Sequence, residues 1–294
     1  MQKIFLFLTA FLAFNGLNAQ EESEPDDENI VRGTFADRRV INVQSVEVLS
    51  KRELDFRVAH RFGDFAGAAG GWQNFIGLEN AADVQIGFEY GLTPKMTLGL
   101  SRTKGSGNLR QLVHGFGKYR FLQQTVDNKI PISLTGVALS TVSTMRRSSD
   151  TLAISHFPEF SHRLMYTLEL HIARKFEHFS LQLSPILLWR NYVLNTDKNA
   201  LFSLNFASKV RLTKFMNLIV DVNFPFAKKY YQPNSGFFLP IAAGLEFQTG
   251  GHVFQLNFTN STGIMPTDYL ATTTSNWLKG EFRLGFTISR SWWF

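Results

Sequence analysis

Alternation is the feature that most limits what this chain can become. From residue 53 onward it repeats one unit, an alternating segment of about ten residues followed by a break. Side chains of a strand point to opposite faces in turn, so each segment has one apolar and one polar face. In the segment 276–290 and the four residues after it, Leu278, Gly280, Phe282, Leu284, Phe286, Ile288, Trp292 and Phe294 share one face. Lys279, Glu281, Arg283, Thr287 and Ser289 share the other. Arg290 breaks the phase, but near a membrane interface its stem can snorkel. In the same way Phe202, Leu204, Phe206, Val210 and Leu212 oppose Ser203, Asn205, Lys209 and Arg211. A soluble β-sandwich would bury its apolar faces against each other and would not carry inward charges along nearly every strand.

The expected strands are 53–63, 83–91, 95–103, 109–122, 131–143, 161–175, 179–192, 200–212, 216–226, 237–248, 252–262 and 276–290. Twelve is even, as a single-chain bacterial barrel requires, and short and long connections alternate with soft spots at 104–108 and 123–130. The expectation is an all-β fold, a transmembrane antiparallel up-and-down barrel of twelve strands. Tyr90, Tyr119, Phe121, Trp189, Trp277, Trp292 and Trp293 fall near segment ends, as an interfacial girdle would place them. Pro185 sits inside a strand, where it removes a ladder donor and suggests a bulge.

Residues 1–19 read as a cleaved signal peptide: Lys3, the apolar stretch Ile4 to Phe14, then Leu17-Asn18-Ala19. Residues 20–52 read as a periplasmic tether, acidic over 21–28 (EESEPDDE), and 53–294 as the barrel. The stretch 40–49 (VINVQSVEVL) also looks like a strand. Counting it gives thirteen and breaks the parity, so it is assigned to the periplasm or to the lumen as a partial plug. No run of 18 apolar residues follows the leader, which excludes a helical membrane protein. With no cysteine, a lipoprotein anchor, thiolate metal site, covalent c-type haem and disulfide framework are excluded.

The ending from Phe282-x-Leu284-x-Phe286 to Phe294 resembles the C-terminal insertion signal of bacterial outer-membrane proteins. The Leu-Asn-Ala-Gln stretch at the cleavage site is similar to Bacteroidetes-type signal peptides. Arg39-Val-Ile-Asn-Val-Gln-Ser-Val-Glu47, His60-Arg61-Phe62-Gly63, Phe160-Ser-His-Arg163 and Ile172-Ala-Arg-Lys175 resemble an uncharacterised Bacteroidetes outer-membrane β-barrel family. The resemblance implies the barrel fold, the outer membrane as location and insertion by the barrel-assembly machinery. It implies no activity and no catalytic residue.

The polar faces point to a charged lumen. Its expected network is Arg57, Arg61, Glu89, Lys118, Arg163, Glu169, Lys175, Arg190, Lys209, Arg211, Asp221, Glu246, Lys279, Glu281 and Arg283, together with Arg120, Asp55 and Asp83. Cations exceed anions by four in this set, and a wall of one sign concentrates counter-ions. The first functional reading is therefore a narrow channel or transporter for small, anionic solutes. The alternative is a non-conducting structural barrel, or one binding a protein partner in an envelope complex. An outer-membrane hydrolase is the third. It would need a base within reach of a nucleophile, and His60 and Ser161-His162 lie on strands nearly opposite each other. His114 and His171 belong with the luminal network. No metal or cofactor motif is present, so none is expected. An enclosed lumen offers no groove to nucleic acid. Arg146-Arg147 in the loop 144–160 suit lipopolysaccharide phosphate, and the Gly/Ala-rich loop 64–82 is either a constriction or a mobile surface loop.

Overall fold

The computed structural model describes residues 29–107, 109–194 and 197–294. The expected signal peptide and residues 20–28 of the tether lie outside them. Val31–Phe294 is one compact unit. Its strands are β1 (Glu53–Phe62), β2 (Ala81–Thr93), β3 (Met96–Gly105), β4 (Gln111–Leu122), β5 (Ser133–Ser143) and β6 (Leu164–Lys175), continuing with β7 (Phe179–Arg190), β8 (Ala200–Arg211), β9 (Met216–Pro225), β10 (Ile241–Thr249), β11 (His252–Thr259) and β12 (Arg283–Trp293). Each pairs antiparallel with its sequence neighbours, and β1 pairs with β12 to close a twelve-stranded barrel. No helix among the described residues is long and apolar enough to cross a membrane.

Closure leaves no free edge, which a bilayer requires because it offers no water to unpaired backbone groups. The outward faces carry large apolar side chains that remain exposed, among them Phe88, Leu100, Leu187, Phe202, Phe206 and Leu256. A continuous exposed belt of this kind suits lipid and not water. The inward faces carry the charged and small polar residues.

Several strand starts fall later than the sequence expectation. β12 begins at Arg283, because Trp277–Lys279 form a 3₁₀ turn capped by the Asn276 side chain. Gly280 then takes φ 75°, a left-handed conformation that ends the turn, so Leu278 and Gly280 do not share the strand's face. β6 starts at Leu164, after the 3₁₀ turn Phe160–Arg163, and β10 starts at Ile241. Pro185 stays within β7 and pairs with Leu204 of β8. On its β6 side the ladder breaks between Glu169↔Ile186 and Ile172↔Leu183, where the proline lacks its donor.

Residues 34–49 are not a thirteenth strand. Their only bridge is Arg39↔Gln44, and nearly all of them are buried. Their partners are inward side chains from all around the ring. Asp37 meets Arg57 of β1, Leu49 N donates to Thr97 Oγ1 of β3, and Thr135 Oγ1 of β5 donates to Val46 O. Val46 N donates to Gln182 Oε1 of β7, Asn42 N to Asp221 of β9, and Gln255 Nε2 of β11 donates to Arg39 O. A segment held by six alternate strands at once lies inside the barrel. Its backbone groups are satisfied by the wall's side chains, where a strand would use a ladder.

Candidate functional site: the occupied lumen

Two pieces of chain outside the barrel wall fill the bore. One is the inner segment 34–49; the other is the β11–β12 connection, whose short helix α1 (Pro266–Tyr269) turns inward. They meet. Arg39 Nη2 donates to Asn42 O at 2.7 Å and to Ile264 O at 2.8 Å, and Tyr269 Oη donates to Asn42 O at 3.4 Å.

The wall divides into two kinds of surface. Toward β1 and β2 it is charged. Arg57 donates two hydrogen bonds to Asp37, at 2.7 and 2.5 Å, and stands 3.7 Å from both Asp55 and Glu89. Arg38 pairs with Asp55. Burial alone would raise the Asp37 carboxyl, but Arg57 and Arg38 outweigh it and hold it at about 2. Toward β7–β10 the wall carries an apolar patch among its polar residues. Ile186, Leu188, Leu201, Ile219 and Ala242 pack with Phe35, Val40, Val43 and Val46 of the inner segment and with Tyr269 and Leu270. The segment lies between these two surfaces.

The other expected luminal residues divide by depth. Arg61 is buried and donates to Asn42 Oδ1 at 2.5 Å and to the Gly263 carbonyl. Lys118 is fully buried and donates to Arg38 O at 3.2 Å; Lys209 donates to Gly33 O at 2.8 Å. Asp221 accepts two bonds from Asn42, Glu246 accepts from Asn217 and Gln255, and Glu169 stands 3.3 Å from His171. Arg283 is buried against Asn260 O at 2.8 Å. Arg190 lies at the long-loop rim, 2.9 Å from Asp197. Partial burial would raise Asp197, but Arg190 and Lys229 hold it below its ordinary value.

Arg163, Lys175 and Glu281 are half-buried at the rims, bonded respectively to Ser143 O, Arg32 O and Asn276 N. Arg211 and Lys279 do not line the lumen. Both are exposed: Arg211 is the last residue of β8, beside His178, and Lys279 sits in the 3₁₀ turn before β12. The inward register continues past the rim at strand ends, and there it no longer means the lumen.

These placements remove the expected excess of positive charge. Among the described residues the buried cations are Arg38, Arg39, Arg57, Arg61, Lys118, Arg190, Lys209 and Arg283. The buried anions are Asp37, Glu53, Asp55, Asp83, Glu89, Glu169, Asp221 and Glu246. Eight meet eight, so the formal buried charges balance.

The histidines are structural in their contacts. His114 lies between Thr103 and Thr141 at 3.1 and 2.8 Å, and His171 bonds Ser184 at 2.9 Å. His60 points outward and stacks on Phe286. Ser161 Oγ donates to Glu159 at 3.4 Å while His162 Nδ1 accepts from Glu159 N, so the serine and histidine are not paired with each other. Trp72 and Phe75 of the loop 64–82 are exposed; the inward loop is the one between β11 and β12.

Sequence reasoning missed Asp37, Arg38, Asn42, Gln182 and Tyr269 as luminal residues. It also missed the apolar patch. Runs such as Ile186-Leu187-Leu188 and Leu218-Ile219-Val220, apolar on both faces, were the available signal for strands covered on both sides.

A closed antiparallel barrel with an apolar outer belt and a packed polar interior is an integral membrane β-barrel. Residues 35–292 match the family described as a membrane-bound beta barrel domain (DUF5777), and the chain belongs to that family. No curated protein matches it. Similar solved structures include the NanC porin, at 8% identity and TM-score 0.48, covering 82% of this chain and 99% of that one. The KdgM porin in complex with disordered oligogalacturonate gives 6% and 0.47 over the same shares. Omp33 of Acinetobacter baumannii gives 6% and 0.42, again over 82% and 99%.

Proposed function

We propose that the protein is a narrow outer-membrane channel for small solutes, held shut in the described conformation by its own segment 34–49. The observation that carries this reading is which part of the chain fills the bore. Inward wall positions are often small and polar, including Ser101, Thr103, Thr135, Ser184, Ser203 and Asn205. Eight strands make a barrel that side chains can fill, and sixteen leave a water channel. At twelve, with these residues, the wall leaves space that, among the described residues, the inner segment and the β11–β12 loop occupy. Removing a segment outside the ladder opens such a bore without breaking any strand pairing.

On the same reading, export removes residues 1–19, and the barrel-assembly machinery inserts the chain through its last strand. Leu284 and Phe286 there face outward, while Phe282 stacks on Trp277 just before it and Phe294 N donates to Arg52 O. The long-loop end then faces outside. Catalysis has no part in this reading. Neither does selection for anions, because the buried charges balance.

A second reading, a non-conducting barrel that serves as scaffold or partner in an envelope complex, is favoured by the tightness of the filling. Two cavities beside Arg39, Arg57 and Gln85 hold only about 10 Å³ each, the room of roughly one water. Liposome swelling separates the two. A variant lacking 34–49 should admit small sugars and amino acids. If that variant folds yet keeps its liposomes impermeable, the scaffold reading replaces the channel.

A further inference from the structure

The outward faces are apolar almost everywhere. In the half of the barrel nearer the long loops, outward strand positions among the described residues carry Lys or Arg at only two places. These are Arg102 and Lys104, both on β3 and both exposed. Their cross-strand neighbours offer no countercharge: Arg102 faces Ile86 and Val113, and Lys104 faces Val84 and Gln111. A cation facing lipid costs about 2–4 kcal/mol at the midplane and about 0–1 near the interface. At the end of β3, two residues apart, this pair belongs at headgroup depth.

The loops above extend the patch. Arg110, Arg146 and Arg147 are all exposed, and their loops are tied together, with Arg110 N donating to Met145 Sδ at 3.2 Å and Thr144 N to Gln111 O at 2.8 Å. Beside the cations the wall is low among the described residues. Gly115 and Gly117 of β4 and Ala138 of β5 face outward between Leu98 and Leu100 on one flank and Leu168 on the other. A Cβ on Gly115 would meet nothing within 4 Å.

We propose that this face of β3–β5 binds one membrane lipid bearing phosphomonoesters. Its phosphates lie among Arg102, Lys104 and Arg110, and an acyl chain lies in the depression over Gly115 and Gly117. Guanidinium forks match phosphate oxygens two at a time, and lysine adds a point charge. The cations sit at headgroup depth and the depression continues from them toward the midplane, which is the layout of a phosphorylated acyl lipid and not of a free anion. The site is on the outer wall, so it stands whether or not the bore conducts.

The test is native mass spectrometry of the full-length folded protein in mild detergent. The probes are lipid A carrying two phosphates, the same lipid after enzymatic dephosphorylation, and phosphatidylglycerol. Wild type should retain one bisphosphorylated lipid. Arg102→Gln with Lys104→Gln should weaken that binding about tenfold or more, equivalent to roughly 1.4 kcal/mol. Arg174→Gln with Arg290→Gln, which removes outward cations at the opposite end, should leave it unchanged. Should the β3 variant fail to fold, as read by heat-modifiable gel mobility, the loop substitution Arg110→Gln takes its place and should also weaken binding. Unchanged retention by these variants overturns the proposal. So does equal binding of the dephosphorylated lipid or of phosphatidylglycerol.

Discussion

Replacing Asp37 with alanine removes the carboxylate that takes two hydrogen bonds from Arg57. Taking one partner from a buried ion pair costs about 3–5 kcal/mol, because the other charge is left in place. Here Arg57 keeps Asp55 and Glu89 at 3.7 Å, and Arg38 keeps Asp55. The loss therefore falls at the low end, about 3 kcal/mol. All of it acts on docking of the inner segment, since no strand pairing involves Asp37. At about 1.4 kcal/mol per tenfold, the undocked population rises on the order of 100-fold. Trypsin reads that population, because Arg38 and Arg39 are buried when the segment is docked, and cleavage of an opened segment follows its equilibrium when reclosing is fast. Cleavage after these two arginines should accelerate on the order of 100-fold while the barrel keeps its heat-modifiable mobility. A change below about twofold, in a folded barrel, would refute the claim that Asp37 anchors the segment.

Two further predictions follow from the same geometry. Asp37 has its carboxyl lowered from 3.8 to about 2, so the stability it contributes is complete above 3.8 and disappears as the pH falls through 2. The segment should resist pepsin at pH 3 and become a substrate only near pH 2, and rapid cleavage at pH 4 would contradict this. Ile186 is fully buried on the inward face of β7, while its neighbour Leu187 faces lipid. Ile186→Ala should lower stability in urea by about 2–5 kcal/mol and Leu187→Ala by much less, and equal losses would show that the faces are misassigned.

The twelve strands were legible because one physical demand, an apolar exterior around a polar interior, is written into every one of them. Where that demand stops, the reading failed. At Trp277–Phe282 the apolar alternation continues, yet Asn276 caps a 3₁₀ turn and Gly280 ends it in the left-handed region. Arg211 and Lys279 keep the inward phase beyond the rim, where solvent takes them. Val40–Leu49 reads like a strand, yet Val40, Ile41, Val43 and Val46, positions of both parities, join one buried cluster with the apolar patch of β7–β10. Its partners are side chains from strands far apart in sequence, so no local pattern announces them. The balanced interior was hidden at the rims: Arg163, Lys175, Arg211 and Lys279 keep the inward phase, yet they lie half-buried or exposed there.

Single-channel conductance in planar bilayers tests the central claim most directly, comparing the full chain with a folded variant lacking 34–49. The full chain should be silent for most of the recording, and the deletion should conduct steadily without preference between small anions and cations. A folded deletion variant that never conducts, or a full chain that conducts as well as the deletion, would contradict the account.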